Sequence, residues 1–211
     1  MSKLALAFWI TIITPMLVGN AMATEEAKYS VVLEADRFEL RKYASHILAE
    51  TTVEGDFEDA GSAAFGRLFK YISGNNQQQQ KVAMTSPVGQ VPSSQKIEMT
   101  SPVSQQQQDG KWVVSFMMPA SFTLETTPAP NDPTLSLRQV PARYVAAVRY
   151  SGFWSEESYR RELTDLQAWI TERDLQPLGE PIWARYNPPF MPWFLRRNEI
   201  LVPVAAPEKG N

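Results

Sequence analysis

The chain of 211 residues is 44% hydrophobic and 20% charged, with a formal net charge of −3, a composition able to bury a core in one ordinary domain. That balance excludes the basic face with which a nucleic-acid binder neutralises phosphates. The absence of cysteine excludes disulfides, thiolate metal ligands, a lipoprotein anchor and cysteine nucleophiles.

The chain opens with Lys3, an apolar run over residues 4–18 and the small-x-small signal Ala21-Met22-Ala23. This order predicts a signal peptide over residues 1–23 with cleavage before Thr24, and a periplasmic or secreted mature protein. The run contains Pro15 and is shorter than the ~20 residues a membrane span needs, so no stable membrane insertion is expected after cleavage. Residues 1–23 hold one of the 20 basic residues and none of the 23 acids, leaving a mature charge of 19 − 23 = −4.

Residues 29–54 alternate apolar and polar positions, the period of strands. A turn at Ala44-Ser45 predicts a hairpin of residues 37–43 and 46–54. The period then becomes helical in "DFEDAGSAAFGRLFKYISGNN", where Ala64, Phe65, Leu68, Phe69 and Ile72 share a stripe. Asp56 is the expected N-cap and Gly74 the expected stop. Two related decapeptides follow, "KVAMTSPVGQ" at 81–90 and "KIEMTSPVSQ" at 96–105. Each reads as an extended strand that must end, bulge or lie at an edge, because Pro87 and Pro102 cannot donate to a ladder. The polar runs at 75–80 and 105–109 read as solvated loops. Residues 111–118 read as a strand, and residues 125–133 as a proline-rich connector.

After the connector the pattern restarts. Strands are expected at 135–140 and 143–151 with a turn at Pro141, then a helix from about 155 to 173 with Ser155 as N-cap. Tyr159, Leu163, Leu166, Trp169 and Ile170 share its apolar face. Strands at 181–186 and 199–204 close the chain. A shift of 98 positions lays Phe65 on Leu163, Leu68 on Leu166, Tyr71 on Trp169 and Ile72 on Ile170. The expectation is one α+β domain over residues 24–211, built from two β-β-α-β-β units at about 28–124 and 134–204, with a cleft between them.

The blocks "KVAMTSPV", "KIEMTSPV", "WVVSFMMPASF", "PNDP", "VPARYVAAVRYSGFWSE" and "ARYNPPFMPWFLRRNEI" together resemble the SOUL haem-binding family over roughly residues 28–204. The resemblance implies a duplicated, distorted antiparallel β-barrel flanked by two helices. It implies haem or another tetrapyrrole as a non-covalent ligand in an apolar groove beside the first helix. The fold it implies is similar to that of gyrase-inhibitory-protein-like domains, which bind varied small hydrophobic molecules.

Haem asks for a flat apolar slot, cations for its propionates and, optionally, an axial ligand. The resemblance points to Phe65, Phe69 and Lys70 of the first helix, and to Tyr186. Phe65 and Phe69 read more simply as core, and Lys70 as a solvated helix residue. Met84 and Met99 occupy the same place in the two decapeptides and suit either a pocket wall or an adaptable core. His46 is the only histidine. Relatives proposed to use histidine carry it where this chain has Lys42, so a pocket held by apolar contact and cationic rim groups is expected instead of one strong iron–histidine bond. The aromatics of the Asn-Pro-Pro loop, Phe190 and Trp193 among them, are expected to pack over the barrel mouth or the ligand. Arg196 and Arg197 beside Glu199 read as a structural ion pair.

No catalytic or metal-binding constellation is legible: the sequence has no histidine-based triad, no phosphate loop and no HExxH. The function expected is therefore haem or tetrapyrrole binding as a buffer or carrier, with no enzymatic step and no defined protein partner. The alternatives are binding or hydrolysis of a small hydrophobic molecule, with Glu50 or Glu199 as the acid, or a non-enzymatic envelope interaction protein.

Overall fold

A computed structural model describes residues 24–78 and 94–207. The first copy of the repeated decapeptide, with Met84 and Pro87, lies outside the described residues, as do residues 1–23. In chain order the elements are β1 (Glu25–Glu26), β2 (Tyr29–Ala35), β3 (Phe38–Tyr43), β4 (His46–Val53), α1 (Phe57–Ile72), β5 (Asn76–Gln77), β6 (Thr100–Ser101), β7 (Val103–Gln108) and β8 (Lys111–Met117). There follow β9 (Ala129–Pro130), β10 (Leu135–Val140), β11 (Arg143–Tyr150), α2 (Glu156–Glu172), β12 (Ile182–Arg185), a 3-10 turn at Trp193–Leu195 and β13 (Asn198–Val204).

Nine strands form one sheet in the order β10-β4-β8-β7-β12-β13-β11-β3-β2. The order is symmetric about the β7–β12 pair. Exchanging β3 with β10, β4 with β11, β7 with β12 and β8 with β13 maps one wing onto the other, and β2 is the additional strand. The same exchange carries α1 onto α2. Three of the four matched positions agree in burial: Leu68, Tyr71 and Ile72 are buried, as are Leu166, Trp169 and Ile170, whereas Phe65 is exposed and Leu163 half-buried. Each helix covers its own core on one side of the sheet, α1 over Ile47, Ala49, Val114 and Phe116, α2 over Leu40, Ala146, Val148, Ile200 and Val202.

Two expectations of local structure need correction. The segments on either side of Ala44-Ser45 do not pair with each other. β3 pairs with β11 and β4 with β10, and the register runs from Tyr43↔Arg143 to His46↔Val140 without a slip. The chain thus bends and crosses between wings at Ala44-Ser45 and at Pro141-Ala142. The Ser45 hydroxyl donates to the Val140 carbonyl at 3.0 Å, tying the two corners together. The hairpin is instead β2–β3, closed where Asp36 takes a positive φ of 55°. The second correction follows from the first. The hydrogen-bonded ladder ends at β10 and β2, so the sheet is open where a closed barrel was expected.

The glutamine run at 105–109 is likewise no loop. β7 pairs with both β8 and β12 at the centre of the sheet. The buried Gln105 amide donates to the Phe57 carbonyl at 2.7 Å, and Gln106 donates to the Glu180 carbonyl at 2.8 Å. A polar side chain can occupy a central strand when its donors are satisfied. The second decapeptide behaves as its proline requires: β6 ends at Ser101 and β7 starts at Val103, on either side of Pro102.

Both helix starts lie where the sequence places them. Asp56 occupies the N-cap of α1 without a side-chain capping bond, whereas the Ser155 hydroxyl accepts from the Ser158 amide at α2. Among the described residues, no helix is long and apolar enough to cross a membrane.

Candidate functional site

The residues nominated from the sequence fall on two different faces. On α1, the buried stripe runs through Ala60, Ala64, Leu68, Tyr71 and Ile72, and Phe65 and Phe69 stand on its flank. They are 39% and 46% exposed. Their rings stack at 5.8 Å with an interplanar angle of 11°, and Phe65 also meets Phe116 edge-on at 5.4 Å. The pair is a flat, ordered and solvent-facing aromatic surface. Arg67 and Lys70 are exposed on the same helix. Met99 is 42% exposed.

The second face is the side of the sheet without helices. Tyr43, Val145, Ala147, Ile182, Ala184 and Leu201 form its apolar floor, with Ala27 and Tyr186 packed against it. A cleft of two lobes opens there. The larger, about 370 Å3, lies between the start of β4 and the loop after β8, against His46, Ile47, Met117, Met118, Phe122 and Leu124. The smaller, about 50 Å3, is lined by Tyr43, His46, Arg143 and Tyr186 among others. Ala27, His46 and Met117 belong to both lobes.

His46 is half-buried at that junction, its Nδ1 3.0 Å from the Ala44 carbonyl. Burial, with the positive charges of Arg143 and Arg138, lowers its pKa below 6.5 against the opposing pull of the Ala44 carbonyl. His46 lies on the opposite side of the sheet from Phe65 and Phe69, whose helix packs on the other face. Lys42, at the place of the relatives' histidine, is exposed, with its Nζ 5.7 Å from the centre of the Tyr144 ring.

Beneath Tyr186 lies a buried charge network that sequence spacing did not reveal. Glu199 is fully buried and Arg41 is 1% exposed. Arg41 donates from Nη1 to Glu199 at 2.6 Å and from Nη2 at 3.2 Å, and its Nε donates to Glu39 at 2.6 Å. Arg197 donates to Glu199 at 3.0 Å and to Glu26 at 2.9 Å. The Tyr186 hydroxyl donates to Glu199 at 2.8 Å. Burial alone would raise the Glu199 carboxyl, but Arg41, Arg197 and Tyr186 together hold it below its ordinary value. Burial pushes the Tyr186 hydroxyl well above its ordinary value, with the charge of Glu199 adding to the effect. The expected local pair of Arg197 and Glu199 is thus one edge of a larger network. Its strongest pair spans 158 positions. Arg196 takes no part in it, donating instead to the Met191 and Pro189 carbonyls.

The aromatic loop also departs from expectation. Phe190, Trp193, Phe194 and Leu195 are exposed, and Trp193 stacks on exposed Phe153 at 5.2 Å. Trp193 also meets Phe194 edge-on at 5.6 Å, and none of these loop side chains lines either lobe. Arg185, beside Tyr186 in sequence, turns to the helix side and stacks on Trp183 and Trp154. A Cβ at Gly61 would stand 2.1 Å from its Nη2, so a larger residue there would require this guanidinium to shift.

The profile of the SOUL heme-binding protein family matches residues 24–203. The chain belongs to the SOUL family. Relatives within reach of sequence comparison include Heme-binding protein 1 of Xenopus tropicalis, 26% identical over 164 residues, covering 77% of this chain and 81% of the relative. Heme-binding protein 1 of Mus musculus is 26% identical over 144 residues, covering 68% and 70%. Among solved structures, the EcmrR C-terminal domain aligns with a TM-score of 0.52 at 14% identity, covering 84% of this chain and 98% of that one. A hydrolase from Listeria innocua aligns with a TM-score of 0.51 at 10% identity, covering 82% and 94%. At such identities the likeness is one of fold, and the α+β architecture of this SOUL-family chain is shared with both.

Proposed function

We propose that this SOUL-family protein binds haem or another tetrapyrrole non-covalently on the outer side of α1, and acts as a buffer or carrier without turnover. The observation that supports the site is the exposed Phe65–Phe69 stack, found in a chain of a haem-binding family. A macrocycle laid against these rings removes apolar surface on both partners from water, at roughly 25 cal/mol per Å2 before association costs. Arg67 and Lys70, exposed along the same helix, suit the propionates. Bound haem would bring an iron centre with axial positions to fill, and the residues of this face would hold the macrocycle by contact and charge. The family name of Heme-binding protein 1 in the relatives supports the same ligand class.

The carboxylates that a hydrolytic reading would use are engaged elsewhere. Glu50 accepts from Arg138 through both oxygens at 2.8–3.0 Å. Glu199 is held by two guanidinium groups and a phenol. Held below its ordinary value in this way, the Glu199 carboxylate is a weak general base.

Haemin titration followed at the Soret band tests the proposal. One equivalent should bind with a shifted band, and His46→Ala should leave the affinity within a few-fold, because His46 lies across the sheet from the stacked rings. Loss of the Soret shift in His46→Ala would place the macrocycle in the cleft and overturn the α1 site.

The order Lys3, apolar residues 4–18 and Ala21-Met22-Ala23 supports a carrier role in the periplasm. Intact-mass measurement of protein released from the periplasm should find a chain beginning at Thr24. A membrane-bound chain retaining residues 1–23 would contradict this placement.

A further inference from the structure

The face without helices carries a cation that no described residue neutralises. Arg143 opens β11, pairs with Tyr43 across the ladder and lines the smaller lobe of the cleft. Its Nε is buried without a hydrogen-bond partner. Arg41, Arg138 and Arg197 each hold a carboxylate. No such pair exists for Arg143 among the described residues, and none of the residues lining its lobe is acidic. Burial and the charge of Arg138 disfavour its charged form, opposed by Tyr43. A half-buried guanidinium without a counter-charge is costly unless something completes it.

The surroundings specify what would complete it. Ser104 adds a polar side chain to the lobe, the hydroxyls of Tyr43 and Tyr186 are held by Arg41 and Glu199, and Leu48, Val145, Ile182 and Leu201 make the rest of it apolar. Past His46 and Met117 the cleft widens to about 370 Å3, within the range of roughly 300–1,000 Å3 common to small-molecule sites. The acids of that wider lobe stand away from Arg143. Glu25 accepts the Ala120 amide at 2.9 Å, Glu26 pairs with Arg197, and Glu125 lines the wider lobe only.

We propose that this cleft is a second ligand site, separate from the α1 face. It takes a small amphipathic carboxylate, whose head pairs with Arg143 and whose apolar body runs past Met117 into the wider lobe. The fork of a guanidinium matches a carboxylate in two parallel hydrogen bonds, and the apolar walls take the tail. The carboxylate could belong to a free aliphatic acid or to a tetrapyrrole propionate, and competition separates the two.

The test uses untagged protein, whose single histidine gives one imidazole signal at the junction of the lobes. The charged groups that act on it are Arg143 and Arg138, with the Ala44 carbonyl at Nδ1. Decanoate and decanol are titrated by calorimetry and by NMR of that imidazole. Decanoate should bind at least tenfold more tightly than decanol. It should also raise the pKa of His46, because pairing Arg143 removes part of the positive field on the ring. Arg143→Gln should lose tenfold or more in decanoate affinity with decanol unchanged, and Arg143→Lys should fall between, with circular dichroism confirming the fold of each. Displacement of decanoate by haemin, with haemin affinity lost in Arg143→Gln, would assign the carboxylate to a tetrapyrrole propionate and overturn both the α1 haem site and the separateness of this cleft. Independent binding of the two would assign it to a free acid. Equal affinity for decanoate and decanol, decanoate binding by Arg143→Gln within twofold of the unsubstituted protein, or an unmoved His46 signal would overturn the site. Because Phe65→Glu leaves this cleft intact, decanoate binding in that variant tests the cleft separately from the haem site.

Discussion

Replacing Glu199 by Gln should lower the unfolding free energy by about 3–5 kcal/mol, the cost of leaving the buried Arg41 guanidinium with only the partly exposed Glu39 as counter-charge. At roughly 2–4 °C per kcal/mol for a chain of this size, the midpoint should fall by roughly 6–20 °C. The size of the effect follows from burial: Glu199 is fully buried, and Arg41, which is 1% exposed, donates to it twice. The isosteric amide keeps the volume but loses the charge and turns one of the two acceptor oxygens into a donor that faces other donors. A double replacement of Arg41 and Glu199 by Met should recover much of the loss, since removing both charges also removes their desolvation. The pH dependence has a definite sign. The folded-state pKa of Glu199 lies below its ordinary 4.5, so its stabilisation is fully present above about pH 4.5 and is lost as pH falls through the folded value. The gap between the unsubstituted protein and Glu199→Gln should therefore narrow on acidification. A gap that is constant or widens towards low pH would contradict this reading of the network.

Phe65→Glu and Phe69→Glu should each weaken haemin binding by roughly tenfold to a hundredfold, with little change in stability. The affinity effect combines loss of apolar contact, about 1.5–3 kcal/mol for a fully buried phenylalanine, with a carboxylate placed against the macrocycle. Each 1.4 kcal/mol is worth tenfold in affinity. Stability should change little because both rings are already 39–46% exposed and stand beside, not within, the buried stripe of α1. Parallel titrations and thermal melts measure the two effects separately. Unchanged affinity in both variants would remove the aromatic stack from the site.

The helices and the duplication were legible because a period of 3.6 survives in each half. Leu68 and Leu166, 98 positions apart, are equally buried. The strand partners were not legible. Ala44-Ser45 looks like a hairpin turn, but the period-2 pattern changes phase there: Phe38 and Leu40 face the α2 core, while Ile47 and Ala49 face the α1 core. That phase change marks a bend between wings, and only the pairing of β3 with β11 shows where the chain goes. The same crossing leaves the sheet open where the family resemblance implied a barrel. The glutamine run was misread because polarity alone does not distinguish a solvated loop from a strand whose amides are satisfied, as Gln105 is by Phe57.

The candidate site was legible in its residue types and only partly in its geometry. Phe65, Phe69 and Lys70 do share one helix. His46 and Tyr186 share a cleft on the other face, and a linear sequence gives no sign of that separation. Arg41 and Arg143 sit in alternating strands where a charged side chain ordinarily faces solvent. Arg41 is buried because β3 lies one strand from β13, whose Glu199 it reaches across β11, and Arg143 is half-buried in the cleft at the start of β11.

The central claim, that haem lies on the outer side of α1, is tested most directly by paramagnetic broadening of backbone amide signals on adding one equivalent of haemin. The account predicts that amides across residues 62–70 broaden first, while the His46 imidazole and the amides of β11 keep their intensity. Broadening centred on His46 and β11 with α1 unaffected, or no broadening at all, would contradict it.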